Sequence, residues 1–180
     1  LELRIDPLSD LPEGLSLFYS HPQWLVERFL DRLGYERTQA RLEAHNRPSP
    51  LTFRLQDNAS ERDKVVASLC EQGMNAEATT WSPDGIRIKG GIASPLHLFL
   101  KKTPHPLLLQ DEAAQIIGHW LQPGSRPGTQ ILDACAAPGG KAVHLAALSP
   151  EATVFAADLH DHKLDLIKQL STRLKLTSTY

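Results

Sequence analysis

The chain has 180 residues, of which 41% are apolar and 22% are charged, and its formal net charge is −2. This composition predicts a globular protein with a real core, in one domain or two small ones. It excludes a membrane-spanning helix, because no apolar run approaches the roughly 20 residues that cross a bilayer, and it shows no overall basic surplus of the kind that binds nucleic acid, although a local basic patch is compatible with it.

The first part of the chain changes from turn-forming residues to helical periodicity. Residues 1–20 are rich in turn-formers and poor in periodicity, so we expect a linker or an irregular lead-in. A helix should follow, because apolar residues recur at helical spacing before a glycine that can end it: Leu25, Phe29, Leu33 and Gly34. A second short helix is predicted from about Thr38 to Ala44.

A strand and a helix are predicted next. The strand should be half-buried, because its apolar residues alternate with polar ones: Leu51, Phe53 and Leu55. Ser60 should cap a helix that runs to about Gln72. The apolar side chains of this helix share one inward face: Val65, Val66, Leu69 and Cys70.

Further strands complete a small domain. Residues 76–82 and 85–89 flank a turn and indicate a hairpin, and residues 105–110 indicate a brief apolar strand. The segment 94–102 is either a short helix or irregular. This β-α-β-β order predicts a small α+β domain of the RNA-recognition or ferredoxin-like type over residues 21–105, with the leading helices included.

An amphipathic helix begins the last part of the chain. Its apolar residues fall at offsets 0, 3, 4, 7 and 8, which predicts a buried stripe of Ala113, Ile116, Ile117, Trp120 and Leu121. Asp111 and Glu112 lie in its first turn, where the helix dipole favours acids, and Pro123 and Gly124 should end it.

The remaining residues alternate strand and helix. Residues 129–134 and 153–159 are predicted strands, and residues 140–149 and 160–176 are predicted helices. Short links in this order imply parallel strands, and hence an α/β domain over residues 106–180. A doubly wound sheet has five or more strands, so we expect later strands or a partner chain to cover its edge.

The first strand of this domain ends in a loop suited to ligand binding. In open α/β sheets, ligands bind at the carboxyl ends of the strands. Gly139 and Gly140 have no Cβ, so a ligand can lie close to the backbone. The helix that starts near Gly140 offers unpaired N–H groups to an acceptor such as a carboxylate. Asp133 can hold the loop or accept from an ammonium group.

The second strand end places an acid, Asp158, about 20 residues past the glycines, where it can accept both hydroxyls of an adenosine ribose. A phosphate-binding P-loop does not fit, because it needs glycine where Cys135 stands and Ser or Thr where Ala142 stands. The dinucleotide pattern Gly-x-Gly-x-x-Gly is absent as well. S-adenosylmethionine, an adenosine compound that carries no phosphate, remains as the candidate ligand.

The stretch LDACAAPGGK, residues 132–141, resembles the cofactor loop of the Sun (Fmu) family of RNA 5-methylcytosine methyltransferases, which includes 16S rRNA cytosine methyltransferases. Upstream, SHPQWLVERFLDRLG, NRPSPLTFRLQ and HPLLLQDEAAQ resemble that family's segments in the same order. The resemblance implies an RNA-recognition-like domain followed by the first part of a Rossmann-like methyltransferase domain. It also implies that Asp158 binds the ribose of S-adenosylmethionine and that the loop lines its site with Cys135, Ala136, Ala137, Pro138, Gly139, Gly140 and Lys141.

The sequence departs from the family in two ways. Ala142 and Val143 stand where the family often has two threonines, and Lys163 stands where it often has arginine; these changes leave the loop and the acid in place. The larger departure is that the family's Thr-Cys and Pro-Cys motifs, the first of which carries the nucleophile, are absent. The carbon-5 of cytosine needs a thiolate added at carbon-6 before it can take a methyl group, on a base that has been unstacked. We therefore assign no catalytic residue and expect no methyl transfer by this chain alone.

Several other residues have both a functional and a structural interpretation. Cys135 is expected to be a small residue beside the ligand, and Cys70 a core residue. A metal site at Asp161 and its two flanking histidines is not expected, because three neighbours at a helix start rarely converge on one ion. Tryptophans that could stack on bases are expected in the core instead, in particular Trp24 and Trp120. An RNA surface on the small domain could use six cations: Arg47, Arg54, Arg62, Lys64, Arg87 and Lys89.

The sequence thus predicts a fragment of a cytoplasmic, S-adenosylmethionine-dependent RNA cytosine methyltransferase, with rRNA favoured over tRNA as substrate. Two widely separated cysteines and the lack of a secretory pattern fit a reducing cytoplasm. We expect no metal and no membrane contact, and the oligomeric state stays open. The main alternative is a non-catalytic RNA-binding or assembly module with a vestigial cofactor loop; a nicotinamide-dependent oxidoreductase is disfavoured by the glycine pattern.

Overall fold

The computed structural model describes residues 11–56, 59–121, 124 and 126–174. The chain divides into two compact units, one up to Ser49 and one from Pro50 onwards. Among the described residues, no helix combines the length and the apolar character needed to cross a membrane.

The first unit consists of three helices: α1 (Glu13–Tyr19), α2 (Gln23–Leu33) and α3 (Tyr35–His45). The two helices predicted after residue 20 are confirmed, and Gly34 ends α2 with a φ of 73°. The irregular lead-in expected through residue 20 is wrong for α1, which contributes two of the four side chains of a small core: Leu15, Tyr19, Val26 and Leu42. Leu15 and Tyr19 are one helical turn apart, so a short helix can bury both side chains. The sequence did not predict this helix because seven residues are too few to show a periodic apolar pattern.

The second unit begins with a four-stranded antiparallel sheet of order β2-β3-β1-β4. Its strands are β1 (Leu51–Leu55), β2 (Asn75–Ala78), β3 (Gly85–Lys89) and β4 (Leu107–Leu109). A 3₁₀ turn (Ala59–Glu61) and helix α4 (Arg62–Glu71) connect β1 to β2, and α5 (Leu96–Lys102) connects β3 to β4. The predicted α+β unit of ferredoxin-like order is thereby confirmed, and the segment left open between residues 94 and 102 is a helix.

The core of this sheet contains large apolar side chains from both inner strands, from β4 and from the helices α4 and α5: Phe53, Leu55, Val65, Leu69, Ile86, Ile88, Phe99 and Leu107. Three details differ from expectation. Strand β1 is buried on both faces, because Thr52 and Arg54 are enclosed as well. Helix α4 begins at Arg62 after Glu61, so Ser60 is not its cap. Cys70 is exposed rather than a core residue, although its Sγ donates to the carbonyl of Ala76 at 3.3 Å.

Helix α6 (Glu112–Leu121) buries a different face from the predicted one. Its enclosed residues are Gln115 and Gly118, whereas the apolar stripe is largely open to solvent and Trp120 is 85% exposed. The stripe expectation was wrong because polar groups, described below, hold the opposite face against the rest of the unit. Core positions for Trp24 and Trp120 were wrong too: Trp24 is 61% exposed, and Trp81 is 75% exposed. Pro123, the expected helix stop, lies outside the described residues.

The second unit ends with the predicted strand–helix–strand–helix sequence: β5 (Gln130–Asp133), α7 (Gly140–Leu148), β6 (Thr153–Ala156) and α8 (Asp161–Arg173). The two strands pair in parallel, with Leu132 opposite Phe155 and Asp133 opposite Ala156, as expected from the short βα links. Small and branched side chains from all four elements form the core here: Ala136, Ala142, Leu145, Ala146, Val154, Ala156, Ile167 and their neighbours Ile131 and Leu164. This packing fixes where β5 and α7 meet.

Candidate cofactor site

The loop between β5 and α7 is held against the end of β6 by main-chain hydrogen bonds. The N–H of Ala136 donates to the carbonyl of Ala157 at 2.9 Å, and the N–H of Ala157 donates to the carbonyl of Asp133 at 2.9 Å. The N–H of Gly139 then donates back to the carbonyl of Ala136 at 2.7 Å, which closes a turn just before the helix. The parallel pairing of the strands thus continues into the loop, so its backbone has a defined position.

Gly139 is required by the backbone and by close packing. Its φ is 108°, in the region that side chains with a Cβ avoid, and it stands at the N-cap of α7. A Cβ there would lie 3.3 Å from Leu170 Cδ2 and 3.4 Å from Ile167, both on α8. At Gly140 a Cβ would meet Gln110 Nε2 at 3.7 Å, an ordinary contact. The two glycines therefore differ: Gly139 makes the turn and the helix contact, while Gly140 faces a polar side chain.

A cavity of about 200 Å³ opens beside this loop. Six of the eight residues predicted to bind the cofactor line it, namely Cys135, Ala136, Ala137, Pro138, Gly140 and Lys141. The other lining residues are Leu109, Gln110, Ala114 and Asp133. Gly139 and Asp158 are not among the lining residues. The cavity is bounded on one side by the end of β4 and the start of α6, which the sequence analysis did not include in the site.

Asp158 lies after β6 and is bonded to the loop. Its Oδ2 accepts from the N–H of Ala137 at 3.2 Å, its Oδ1 accepts from the N–H of His160 at 3.4 Å, and Lys163 Nζ is 3.9 Å from Oδ1. Burial by itself would raise the pKa of Asp158, but these two backbone hydrogen bonds and the nearby cations outweigh it, and the pKa lies below its ordinary value. Asp158 is therefore ionised at neutral pH, and it ties the end of β6 to the cofactor loop.

Asp133 and Cys135 show how the start of the loop is held. The N–H of Cys135 donates to Asp133 Oδ1 at 3.4 Å, so the acid braces the loop, one of the two roles expected for it. The side chain of Cys135 is exposed at the cavity.

Arg54 is the residue that sequence reasoning placed least well. It was a candidate for an RNA surface, but it is 1% exposed. Its Nε donates to Gln110 Oε1 at 2.6 Å, and its Nη2 lies 3.5 Å from the carbonyl oxygen of Gly140. The period-2 pattern of β1 put Arg54 on the solvent side, and the pattern contained no signal that this side would be covered.

Asp84, His119 and His144, which are far apart in the sequence, meet in the same part of the structure as Arg54. Asp84 Oδ2 is 2.6 Å from Nε2 of His119, on α6, and 3.1 Å from Nε2 of His144, on α7. Burial lowers the pKa of His144, and its bond to Asp84 only partly offsets this. Burial would raise the pKa of Asp84, but hydrogen bonds from His144 and His119 outweigh it, and the pKa is lowered. No sequence pattern indicated this cluster, because its members are 25 or more positions apart in the chain.

The possible ligand atoms of Asp84, His119 and His144 lie within 4.8 Å of one another, so the cluster could hold a metal ion. The packing of His144 argues for hydrogen bonds instead. Its Nδ1 is buried without a hydrogen-bond partner among the described residues, and it faces Gly118, where an added Cβ would lie 2.5 Å away. A metal on Nε2 would put the imidazole proton on Nδ1, where it would have no acceptor. If the proton is instead on Nε2 and is donated to Asp84, Nδ1 carries only a lone pair and leaves no N–H without an acceptor.

The six cations considered for an RNA surface do not form an unpaired patch in the part of the chain that the structure describes. Arg54 is buried, and Arg62 pairs with Asp63 at 3.2 Å. The remaining ion pairs of this set are Lys64 with Glu61, Arg87 with Glu77 and Glu112, and Lys89 with Glu77. Arg47, which belongs to the first compact unit, makes no ion pair with another described residue. A basic surface made by all six, which the sequence left open, does not form because Arg54 is buried. Carboxylates on the same sheet and helices also pair with Arg62, Lys64, Arg87 and Lys89.

The fold and the site define the class, a ferredoxin-like unit joined to two βα units of a Rossmann-like parallel sheet with a glycine loop at the first strand end. Residues 21–94 match the model of the Methyltr_RsmF/B-like ferredoxin-like domain, and residues 119–180 match that of the 16S rRNA methyltransferase RsmB/F. The chain belongs to this RsmB/F family, the Sun (Fmu) family that its loop resembles.

Curated relatives agree with this assignment. The chain is 32% identical over 173 residues to a probable ribosomal RNA small subunit methyltransferase B of Bacillus subtilis, covering 96% of this chain and 38% of the relative. It is 34% identical over 161 residues to the ribosomal RNA small subunit methyltransferase B of Escherichia coli K12, covering 89% of this chain and 36% of the relative. The chain thus spans little more than a third of the length of these relatives.

Solved structures share the fold. The protein PH0851 superposes with a TM-score of 0.78 at 24% identity, covering 99% of this chain and 40% of that one. A methyltransferase homolog protein from Pyrococcus horikoshii superposes with a TM-score of 0.72 at 22% identity, covering 92% and 53%. NSun6 from Pyrococcus horikoshii, solved with SFG, has a TM-score of 0.69 at 13% identity, covering 88% and 64%. At these identities the likeness concerns the fold.

Proposed function

We propose that this chain is the RNA-side unit and the first half of the cofactor site of an S-adenosylmethionine-dependent cytosine-5 methyltransferase of small-subunit rRNA, acting in the cytoplasm. The observation that carries the proposal is the cavity between the loop after β5 and the start of α6, with the ionised Asp158 bonded to that loop. Family membership supplies the reaction class, and the names of the relatives supply rRNA as the favoured substrate over tRNA.

The lining residues suit the two ends of such a cofactor, which supplies an activated methyl group. The first N–H groups of α7, at Gly140 and Lys141, are available to a carboxylate at the positive end of the helix dipole. Each oxygen of Asp158 accepts one backbone hydrogen bond, so each keeps acceptor capacity for a ribose hydroxyl. Ala136 and Ala137 are small, which leaves room beside the backbone.

We assign no residue of this chain as the nucleophile that adds to the cytosine ring. Cys135 lines the cavity with the loop residues, and we propose that it is a small lining residue rather than the cysteine that adds to the base. The cysteine motifs of the family are absent from this sequence, so we propose that the 180 residues alone do not transfer a methyl group.

Calorimetric titration of the chain with S-adenosylhomocysteine tests the cofactor proposal. We expect binding, and a loss of at least about tenfold in affinity, about 1.4 kcal/mol, in Asp158→Ala. Asp161→Ala, in the first turn of α8, is the matched control and should bind as the wild type does. Binding of NAD in place of S-adenosylhomocysteine would refute the proposal, and RNA binding with no cofactor binding would favour the non-catalytic module.

A further inference from the structure

Arg54 does not line the cofactor cavity, but it contacts two residues that do. The cavity wall includes Gln110, which follows β4, and Gly140, which begins α7. These two residues belong to different elements, and Arg54, on an inner strand of the ferredoxin-like sheet, is within hydrogen-bond distance of both. A single side chain from the sheet therefore connects two parts of the wall.

The bond to Gln110 also sets the orientation of its side-chain amide. Arg54 Nε donates to Gln110 Oε1 at 2.6 Å, and an arginine can only donate, so the oxygen of the amide must face Arg54. The amide nitrogen then lies on the other side, 3.7 Å from where a Cβ on Gly140 would be. Gln110 itself is 8% exposed, and its carbonyl accepts from Gln115 Nε2 at 2.8 Å. The side chain is thus held in one state, with a donor group toward the loop.

The charge of Arg54 is kept in this enclosed position. Burial lowers its pKa to about 10, and Asp84 opposes that effect, so the guanidinium stays protonated at neutral pH. Asp84 precedes Gly85, which pairs with Arg54 across β1 and β3, and it also bonds to His144, one turn along α7 from Gly140. The sheet therefore contacts α7 at two successive turns, once through Arg54 and once through Asp84.

We propose that Arg54 is a positioning residue for the cofactor site: it sets the Gln110 amide and the first carbonyl of α7, so that cofactor affinity depends on the ferredoxin-like sheet. This inference rests on the proposed function for its ligand, but the contacts that carry it do not. A purely structural role would predict lower stability with unchanged cofactor affinity in the folded protein.

The test compares Arg54→Met and Arg54→Lys with Val65→Ala. Val65 lies in the core between α4 and the sheet, so its truncation lowers stability without touching the cavity. Each variant is titrated with S-adenosylhomocysteine at a temperature where circular dichroism shows it to be folded. We expect Arg54→Met to bind about tenfold more weakly, Arg54→Lys to recover part of the affinity because it keeps a charged donor, and Val65→Ala to bind as the wild type does at a comparable loss of Tm.

Hydrogen exchange without ligand gives a second measurement. Amides of residues 139–146 should exchange faster in Arg54→Met than in Val65→Ala, since the carbonyl of Gly140 has lost its arginine donor, and Arg54→Lys should be intermediate. Equal exchange in all three variants, or equal affinity at equal loss of Tm, would overturn the inference. If the wild type binds no S-adenosylhomocysteine, the proposed function fails, and the exchange comparison still decides the role of Arg54.

Discussion

Gly118 on α6 and His144 on α7 approach so closely that no side chain fits between them. A Cβ on Gly118 would lie 2.5 Å from His144 Nδ1 and 2.9 Å from Cε1. His144 cannot easily move away, because its other ring nitrogen is bonded to Asp84 and the residue is buried. The absence of a side chain at Gly118 therefore lets α6 pack against the helix that begins at the cofactor loop.

Gly118→Ala should destabilise the protein even though alanine is the better helix former. The gain in helix propensity is about 1 kcal/mol, while forcing a methyl group into a packed contact costs about 1–3 kcal/mol, and here it also displaces a hydrogen-bonded ring. Urea unfolding should therefore show a net decrease in the free energy of unfolding. Gly140→Ala is the control, because its Cβ would meet only an ordinary contact at 3.7 Å. Wild-type stability in Gly118→Ala would show that His144 is free to rearrange.

Gly139→Ala should lower both stability and the order of the loop. Its φ of 108° is disfavoured for any residue with a Cβ, and the new methyl would press on Leu170 and Ile167. We expect a loss of about 1–3 kcal/mol in urea unfolding. The comparison with Gly140→Ala separates backbone strain from the loss of a glycine as such. An equal effect of the two substitutions would contradict the different roles inferred for the two glycines.

Stability should fall on mild acidification because of His144. Its folded-state pKa is depressed by burial, so between that pKa and the unfolded value of about 6.5 the unfolded chain binds more protons. The contribution of neutral His144 to the free energy of unfolding is fully present above about pH 6.5 and is lost as the pH falls below that value. The lowered pKa of Asp84 adds a second loss at lower pH, as that carboxylate takes up its proton.

Urea unfolding at about pH 7 and about pH 5 measures this slope. His144→Gln should have a shallower slope than the wild type, since the buried group no longer titrates. His97→Gln, at an exposed position on α5, is the matched control substitution. A wild-type slope in His144→Gln would mean that another group accounts for the loss.

Thiol labelling distinguishes the two cysteines by ligand protection. Both are exposed, so both should react with a thiol reagent in the absence of ligand. S-adenosylhomocysteine should slow the labelling of Cys135, which lines the cavity, and leave that of Cys70 unchanged. Cys70, on α4, is an internal control in the same molecule. Protection of neither cysteine by a bound ligand would place that ligand elsewhere.

The sequence alone predicted most of the elements and the loop. Period-2 and period-3.6 patterns, glycines and prolines are local properties, and they predicted β1, the hairpin, α2, α6 and the parallel βα units, all of which the structure contains. The loop from Cys135 to Lys141 was assigned to the site because this contiguous stretch resembles the cofactor loop of the Sun (Fmu) family, and six of its seven positions line one cavity. Patterns of this kind need only the neighbours in the chain.

Tertiary structure decided which faces are covered and which distant residues meet. Arg54 lies on the polar side of an alternating strand, yet it is buried because α6 and the start of α7 pack over that side. Trp120 has the spacing of a core residue, yet it is exposed because Gln115 and Gly118 form the contact face of α6. Periodicity shows that a helix or strand has two faces, but the identity of the buried face depends on hydrogen bonds and packing with elements far away in the sequence.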